Sequence, residues 1–356
     1  MPFSFDLSLR RVTPLLTDPA SWANFARIAS SYVRSTHGRS VSASGQAEVS
    51  GLPFALMIEP TNRCNLHCPL CPSGDGRLIR TRGMMERATF DRILSQTKGT
   101  VKLLQLWNQG EPLLHPDLPW MIRRAKRQGM FVSTSTNGHP LADPLVAHEI
   151  VRSGLDHLIV SVDGATQETY VRYRRGGTLQ TVLKGIEHCV EAKRRARTSW
   201  PWIEIQFLVM RHNEHEMVSM ERLARKLGVD RLSLKTVQID VPDQAEPFLP
   251  SDRKRSRYAT TQGTLTTERK RDTCRRLWFS TVINWDGTVT PCCFDKDGRF
   301  VLGNVLQESL ERIWRGRRYR AFRDAVLRNR EDIPMCRNCT EGLRKLFIGG
   351  TTIFAK

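Results

Sequence analysis

The sequence predicts an α/β fold: a partial barrel of six β/α units followed by a small cysteine-containing domain. Three observations carry this prediction. Strand-like and helix-like patterns alternate between residues 54 and 237, short polar motifs follow several of the predicted strands, and cysteines recur near the C-terminus. Such alternation is typical of βα units around a parallel sheet. At 356 residues the chain is long enough for one large domain and a small one.

The composition is that of an ordinary folded protein with an unusual charge. Hydrophobic residues make up 40% of the chain and charged residues 26%, but the net charge is +19. The arginines are spread over most predicted helices and no nucleic-acid-binding motif is recognisable, so no nucleic-acid partner is expected. Nine cysteines, no secretion signal and no apolar run of about 20 residues predict a cytoplasmic protein that uses cysteine for metal binding or catalysis.

An N-terminal helix comes first. Apolar residues between Trp22 and Val33 recur at helical spacing, and the Ser- and Gly-rich stretch 36–50 is typical of a linker. The pattern leaves two roles open for this helix, packing on its own domain or peripheral contact with a membrane, and packing is the more common. We therefore predict a helical extension and linker over residues 1–50.

The barrel is predicted over residues 51–240. Its strands are predicted at 54–59, 101–107, 130–135, 157–162, 203–210 and 231–237. Its helices are predicted at 88–97, 117–128, 143–153, 179–195 and 216–227. Parallel barrels carry their chemistry on the loops at the carboxyl ends of the strands, so the residues after each strand are the candidate site.

The loop after the first strand contains three cysteines in a C-x3-C-x2-C spacing, Cys64, Cys68 and Cys71. Converging thiolates select zinc, copper(I) or an iron–sulfur cluster. Structural zinc takes four ligands, and His67 is the candidate fourth ligand within the loop, so zinc stays open as an alternative. A [4Fe–4S] cluster held by three thiolates leaves one iron free to bind a ligand, which indicates chemistry rather than storage.

This loop resembles that of the radical SAM superfamily, whose fold is a partial (β/α)6 TIM-like barrel. In that family the free iron of the [4Fe–4S] cluster binds the amino and carboxylate groups of S-adenosylmethionine (SAM). Reductive cleavage of SAM then gives a 5′-deoxyadenosyl radical, which abstracts hydrogen from a substrate. The resemblance also implies a low-potential electron donor such as flavodoxin or ferredoxin.

The resemblance extends to the ends of later strands. Asn108-Gln109-Gly110-Glu111-Pro112 stands where the family has Gly-Gly-Glu, with Gln109 in place of the first glycine. By resemblance, Gly110 and Glu111 would contact the methionine ammonium group. Asn137, in a Thr-Asn-Gly sequence that also suits a simple turn, would face the cofactor. Ser161, after the fourth strand, would contact the ribose.

The methionine carboxylate would be held by an arginine, since a guanidinium group pairs with a carboxylate through two hydrogen bonds. The resemblance favours Arg174, although Arg172 and Arg175 are close rivals in the sequence. On the fifth strand either Leu208 or Val209 would contact the adenine, and both residues are equally suited to the hydrophobic core.

A second cysteine set follows a polar bridge predicted over residues 241–273. Its spacing, with Gly287 five residues before the second cysteine, resembles the SPASM domain, which we predict over residues 274–356. The resemblance implies one auxiliary [4Fe–4S] cluster bound by Cys274, Cys292, Cys336 and Cys339. A zinc site made by the same four cysteines is the alternative.

Relatives with a single auxiliary cluster imply a small-molecule substrate: oxidation or epimerisation of a sugar, aminocyclitol, nucleoside or similar metabolite. In an epimerase the thiol of Cys293 would return a hydrogen to the substrate. The alternative is maturation of a ribosomal peptide or protein, for which the residues before the first strand look too few to form a leader-binding module. A remote alternative is a zinc-stabilised nucleic-acid-binding protein without radical chemistry.

Overall fold

A computed structural model describes residues 18–37, 47–239, 246–261, 264–266, 272–337, 339 and 352–354. Its centre is a sheet of six parallel strands that follow one another in chain order. The strands are β1 (Ala55–Ile58), β2 (Leu103–Leu106), β3 (Phe131–Thr136), β4 (His157–Ser161), β5 (Trp202–Val209) and β6 (Arg231–Thr236). Each overlaps a strand predicted from the sequence, and the α/β partial-barrel prediction is confirmed.

One helix precedes these strands and the others connect them. In chain order they are α1 (Pro19–His37), α2 (Pro72–Asp75), α3 (Arg87–Ser95), α4 (Leu118–Lys126), α5 (Pro144–Arg152), α6 (Gln167–Tyr173), α7 (Leu179–Arg195) and α8 (Met217–Leu227). The five predicted barrel helices match α3, α4, α5, α7 and α8. The short helices α2 and α6 were not predicted from the sequence. No helix among the described residues is long and apolar enough to cross a membrane.

The two faces of the sheet differ because side chains alternate along each strand. One face packs against the helices and is mostly apolar, as with Ile58 of β1 and Phe207 of β5. We call the opposite face the inner face. It presents Met57 on β1, Gln105 on β2 and Gln206 on β5, so polar side chains line much of it.

The C-terminal part of the chain extends the same sheet. After the separate hairpin of β7 (Ala259–Thr261) and β8 (Thr264–Thr266), strand β9 (Ser280–Ile283) pairs in parallel with β1. Strands β10 (Thr288–Thr290) and β11 (Gly303–Asn304) continue beyond β9, and β12 (Thr352–Phe354) adds to β6 at the other edge. The remaining helices are α9 (Arg276–Phe279), α10 (Leu310–Arg315), α11 (Arg317–Asn329) and α12 (Pro334–Arg337).

Helix α1 packs where the barrel and the C-terminal part meet. The ring of Phe25 lies 5.3 Å from that of Phe54 and 5.4 Å from that of Phe279, and Ile28 is fully buried. The middle of its apolar stripe therefore faces the protein, whereas Trp22 and Val33 at the ends of the stripe are exposed. Residues 38–46 of the predicted linker and parts of the predicted bridge at 241–273 lie outside the described residues, so those domain boundaries remain proposals.

Candidate active site

The three cysteines of the first motif lie on the loop between β1 and α2. Cys68 is buried, whereas Cys64 and Cys71 are partly exposed. The thiols lie close enough to influence one another electrostatically, and burial raises the pKa of Cys64 to about 11 and also raises that of Cys68. Thiols held together away from water resist ionisation until a cationic centre neutralises them. This donor set therefore fits an iron–sulfur cluster.

The loop's shape depends on a close approach at Gly74. A Cβ atom at this position would lie 2.6 Å from the backbone nitrogen of Cys68, so a larger residue would push the loop apart. The backbone nitrogen of Gly74 donates to the carbonyl of Cys71 at 2.8 Å, while the ring nitrogen Nδ1 of His67 lies 3.3 Å from the carbonyl of Gly74. His67 is thus directed toward the loop backbone rather than toward the cysteines.

The zinc alternative for this loop needs several ligands grouped around one ion. Across the part of the chain that the structure describes, no three His, Cys, Asp or Glu side chains are grouped so as to hold one metal ion. A [4Fe–4S] cluster makes no such demand, because each cysteine binds its own iron.

Of the three candidate arginines, Arg174 reaches the cysteine loop. Its Nη1 lies 3.8 Å from Sγ of Cys68, and its Nε donates to Oδ2 of Asp163 at 2.6 Å. Although burial opposes its charge, the carboxylate of Asp163 raises the pKa of Arg174 well above its ordinary value. Arg172 instead makes an exposed ion pair with Glu168, and Arg175 is exposed.

Asp163 is a site residue that the sequence argument missed. It is fully buried directly after β4, and its Oδ1 accepts a hydrogen bond from the backbone nitrogen of Leu208 at 2.7 Å. Its other oxygen holds Arg174, so this carboxylate links the ends of β4 and β5 to the arginine. A carboxylate immediately after a buried parallel strand was the available signal.

Glu111 braces the ends of β2 and β3. It is buried, and its carboxylate accepts hydrogen bonds from the backbone nitrogen of Asn137 at 2.6 Å and from Oγ1 of Thr136 at 2.7 Å. Burial raises its pKa, which these donors oppose. Asn137 in turn donates to Oδ1 of Asn65 in the cysteine loop at 2.7 Å. The predicted contacts of Glu111 and Asn137 with SAM stay predictions.

The backbone conformation at position 110 requires a glycine. Its φ is +79°, and a Cβ atom would lie 2.6 Å from the carbonyl of Arg63 in the cysteine loop. The next residue, Glu111, donates from its backbone nitrogen to that same carbonyl at 2.7 Å. A glycine here therefore lets the end of β2 lie directly against the loop.

Alternation along β5 separates Leu208 from Val209. Val209 is buried against the helices, whereas Leu208 packs partly exposed beside Leu66 and Tyr173, in a cluster that also includes Cys64. Ser161 ends β4 on the same inner face, paired in register with Gln206. The geometry therefore favours Leu208 as the residue that faces the site.

Deeper in the barrel, the inner face carries a buried ionic group. The carboxylate of Glu204 lies 3.2 Å from Nε2 of His157 and 3.5 Å from Nε of Arg231. Although burial opposes its charge, these neighbours lower the pKa of Glu204 to about 2. Together with Gln105 and Gln206, this group makes an interior suited to a polar substrate group.

The second cysteine set gathers beside β9 and β10. Cys274 interacts electrostatically with Cys292 and with Cys336, which also interacts with Cys339. Burial raises the pKa of Cys336 to about 12. As in the first set, crowded and sheltered thiols fit an iron–sulfur cluster.

Cys293 lies next to Cys292, and the side chains of the two residues interact directly. It packs against Met57, Trp107 and Val282, which belong to an apolar cluster on the inner face, and Nη1 of Arg276 lies 3.4 Å from its Sγ. This places the thiol toward the barrel interior, as its predicted role requires. The role itself stays a prediction.

Two histidines, the buried His115 and the half-buried His139, are expected to make the fold sensitive to acid. Nδ1 of His115 accepts from the backbone nitrogen of Asp117 at 3.0 Å, and Nε2 of His139 accepts from that of Thr178 at 2.9 Å. Burial lowers the pKa of both rings. Below about pH 6.5 these histidines bind protons more readily in the unfolded chain than in the folded chain. The free energy of unfolding therefore falls as the pH falls.

We therefore expect the midpoint of thermal unfolding to decrease between about pH 7 and pH 5.5. A His139→Gln variant should show a smaller decrease than the parent protein. His148→Gln, at an exposed position on α5, should show the parent's dependence. A midpoint that stays level or rises on acidification would contradict this account.

Comparison with known families matches two parts of the chain. The model of the radical SAM superfamily matches residues 58–235, half of the chain. The model of SPASM, an iron–sulfur cluster-binding domain, matches residues 274–340. The first span contains strands β2 to β5 whole, all but the last residue of β6 and only the last residue of β1, together with the three-cysteine loop. The second span contains all four cysteines of the second set.

Two kinds of protein are found among the curated relatives. A Pyrococcus furiosus protein named as a tungsten-containing aldehyde ferredoxin oxidoreductase cofactor-modifying protein is 26% identical over 321 residues, covering 80% of this chain and 86% of that protein. A PqqA peptide cyclase of Gluconobacter oxydans is 32% identical over 187 residues, covering 52% of this chain and 50% of the cyclase. This chain thus spans only about half the length of that cyclase.

Among solved structures, SuiB of Streptococcus suis bound to S-adenosylmethionine superposes with a TM-score of 0.59 and 15% sequence identity. The match covers 76% of this chain and 68% of SuiB. At this level of identity the likeness shows a shared fold.

Proposed function

Since this chain belongs to the radical SAM superfamily, we propose that it is a radical SAM enzyme that modifies a peptide or protein segment. The observation that carries the proposal is the placement of the three-cysteine loop and Arg174 at the carboxyl ends of the strands, above a polar interior. The second cysteine set and Cys293 lie along one side of that interior. Peptide substrates are supported by the curated peptide cyclases among the relatives.

The family implies a [4Fe–4S] cluster with SAM, and the SPASM domain implies an auxiliary iron–sulfur cluster. We propose that the first cysteine set would hold the SAM-binding cluster, and that the auxiliary cluster would be held by Cys274, Cys292, Cys336 and Cys339. When bound and reduced, the first cluster and SAM supply the 5′-deoxyadenosyl radical that abstracts a hydrogen atom from the substrate.

The chain's own residues would bind and orient SAM and would shelter the cysteine loop from water. Asp163 fixes the guanidinium group of Arg174, so that the arginine is held ready to pair with the SAM carboxylate. Glu111 holds the backbone of Asn137 at the end of β3. The apolar cluster that contains Leu66 and Tyr173 packs against the cysteine loop and limits the access of water to it.

The peptide proposal replaces the sugar, aminocyclitol or nucleoside substrate that the sequence first suggested. The curated relatives are named for peptide cyclisation or cofactor modification, which supports the alternative better than the first reading. Membership of the superfamily also sets aside the zinc-stabilised nucleic-acid-binding protein. The electron donor, a flavodoxin or ferredoxin, remains part of the proposal, and acidic donors of this kind suit a chain with a net charge of +19.

Deuterium transfer distinguishes the two substrate classes. Source cells grown in deuterated medium supply an extract that is divided into a peptide fraction and a fraction of small metabolites. Each fraction is incubated anaerobically with the reconstituted enzyme, SAM and dithionite. The mass of the released 5′-deoxyadenosine is then measured by mass spectrometry. We expect deuterated 5′-deoxyadenosine from the peptide fraction, because the abstracted atom comes from the substrate.

The matched control is Cys68→Ala, which should release no 5′-deoxyadenosine with either fraction. If 5′-deoxyadenosine contains deuterium only after incubation with the small metabolites, the peptide proposal is overturned. The sugar or nucleoside hypothesis is then restored. Unlabelled 5′-deoxyadenosine from both fractions would also count against it.

A further inference from the structure

Arg80 joins the barrel to the C-terminal part of the chain. Its two terminal nitrogens donate to the two oxygens of Glu59, each at 2.8 Å, and its Nε donates to the carbonyl of Lys296 at 2.7 Å. The Glu59 side chain is fully buried and that of Arg80 is 10% exposed. A planar guanidinium group can pair with a carboxylate through two parallel bonds while its Nε donates elsewhere, a fixed geometry that the ammonium group of lysine does not reproduce.

On the barrel side, the contacts continue to the first cysteine set. Oε2 of Glu59 also accepts from the backbone nitrogen of Gln109 at 3.1 Å and from Nδ2 of Asn108 at 3.2 Å. The side-chain oxygen of Gln109 lies 3.2 Å from Oγ of Ser73 and 4.0 Å from Sγ of Cys71. The carboxylate that Arg80 holds therefore fixes the strand end that touches the cysteine loop.

On the other side, the contacts continue to the second cysteine set. Lys296 lies four residues after Cys292, directly after a turn closed by a bond from the backbone nitrogen of Asp295 to the carbonyl of Cys292 at 3.0 Å. The carboxylate of Asp295 accepts from the backbone nitrogens of Arg299 and Phe300, at 2.8 and 2.9 Å. The backbone that Arg80 touches is therefore tied closely to an auxiliary-cluster ligand.

A second contact joins the same two segments without passing through Arg80. Nε1 of Trp285 donates to the carbonyl of Thr81 at 3.1 Å. A Cβ atom on Gly83 would lie 2.4 Å from the Trp285 ring, so the ring packs directly on this glycine. Trp285 thus stabilises the interface but reaches neither Glu59 nor the turn that contains Cys292.

We propose that Arg80 is a positioning residue that couples the auxiliary-cluster site to the SAM site. The occupied auxiliary site fixes the turn at Lys296, Arg80 transmits that position to Glu59, and Glu59 sets the end of β2 against the cysteine loop. Loss of the auxiliary cluster therefore weakens SAM binding at a distance, and does so through Arg80. The inference rests on the cluster assignments proposed above and is independent of the substrate.

A double-mutant cycle tests this coupling. SAM dissociation constants are measured by anaerobic equilibrium dialysis for the parent protein, Cys336→Ala, Arg80→Met and the double variant, with iron counted in each. We expect Cys336→Ala to weaken SAM binding about tenfold in the parent, within the usual range for coupled sites. In the Arg80→Met background the same change should have an effect of about twofold or less.

Two further variants keep the result interpretable. Trp285→Phe removes the neighbouring contact and should leave the tenfold effect of Cys336→Ala intact. If thermal unfolding shows that Arg80→Met does not fold, Arg80→Lys is used in its place. This variant keeps a charge beside Glu59 and should also reduce the coupling. The change that SAM causes in the electron paramagnetic resonance spectrum of the reduced first cluster provides a readout without turnover. An equal effect of Cys336→Ala in both backgrounds, or no effect in the parent, would overturn the proposal.

Discussion

Replacing Cys68 with alanine is expected to leave about four irons per chain instead of about eight, and to end the release of 5′-deoxyadenosine. Each cysteine of the first set would bind one iron of the SAM-binding cluster, so the loss of one ligand leaves two irons without protein ligands. Cys64→Ala and Cys71→Ala should give the same result. The measurements are iron counting after anaerobic reconstitution and a dithionite-driven assay for 5′-deoxyadenosine.

Cys189→Ala is the matched control. Cys189 is buried in α7 among apolar residues, and burial raises its pKa to about 12, as expected for a thiol that serves only in packing. This variant should keep all the iron and the SAM cleavage activity. Continued 5′-deoxyadenosine release by Cys68→Ala, or an unchanged iron count, would refute the assignment of the first cluster.

The second cysteine set is expected to behave differently. Cys336→Ala or Cys339→Ala should retain about four irons and still cleave SAM, but without completing the modification of the substrate. Full turnover by either variant would exclude a role for the auxiliary cluster in the reaction. Comparison of the two sets thus separates generation of the radical from its later use.

The barrel could be predicted from the sequence because the patterns that indicate its strands and helices are local. Strand β5 is eight residues long and mostly apolar, and helix α7 repeats its buried positions over seventeen residues. Helix α6 has only seven residues, too few for a clear period, and its start at Thr166 is marked by a cap in which Oγ1 accepts from the backbone nitrogen of Thr169 at 3.3 Å. That cap was the available signal.

Pairings between distant segments were not predictable in this way. The parallel pairing of Leu56 in β1 with Thr281 in β9 joins residues more than two hundred positions apart, and no local pattern specifies it. The same holds for Glu59, Arg80 and Asp163, which are single charged residues in the sequence and become site residues only through the partners that folding brings to them.

The choice among three neighbouring arginines also depends on partners that only folding brings together. This choice can be tested directly. Arg174→Gln is expected to weaken SAM binding about 30- to 1,000-fold, corresponding to a loss of about 2–4 kcal/mol for truncating one partner of a buried charge pair. Arg174→Lys, which keeps the charge but not the two-pronged geometry, should fall in between. SAM dissociation constants from equilibrium dialysis provide the measurement.

Arg172→Gln and Arg175→Gln are the matched controls, since both positions are exposed and only the side chain of Arg174 contacts Cys68 and Asp163 among the three. Each should change SAM affinity by no more than about twofold, as surface substitutions usually do. Removing Arg174 also leaves the Asp163 carboxylate buried without its cation, so Asp163→Asn/Arg174→Gln separates the loss of folding from the loss of binding. If the double variant regains thermal stability but still binds SAM weakly, Arg174 acts on the cofactor itself. If SAM affinity returns with stability, or if Arg172→Gln is the most damaging change, the assignment of Arg174 fails.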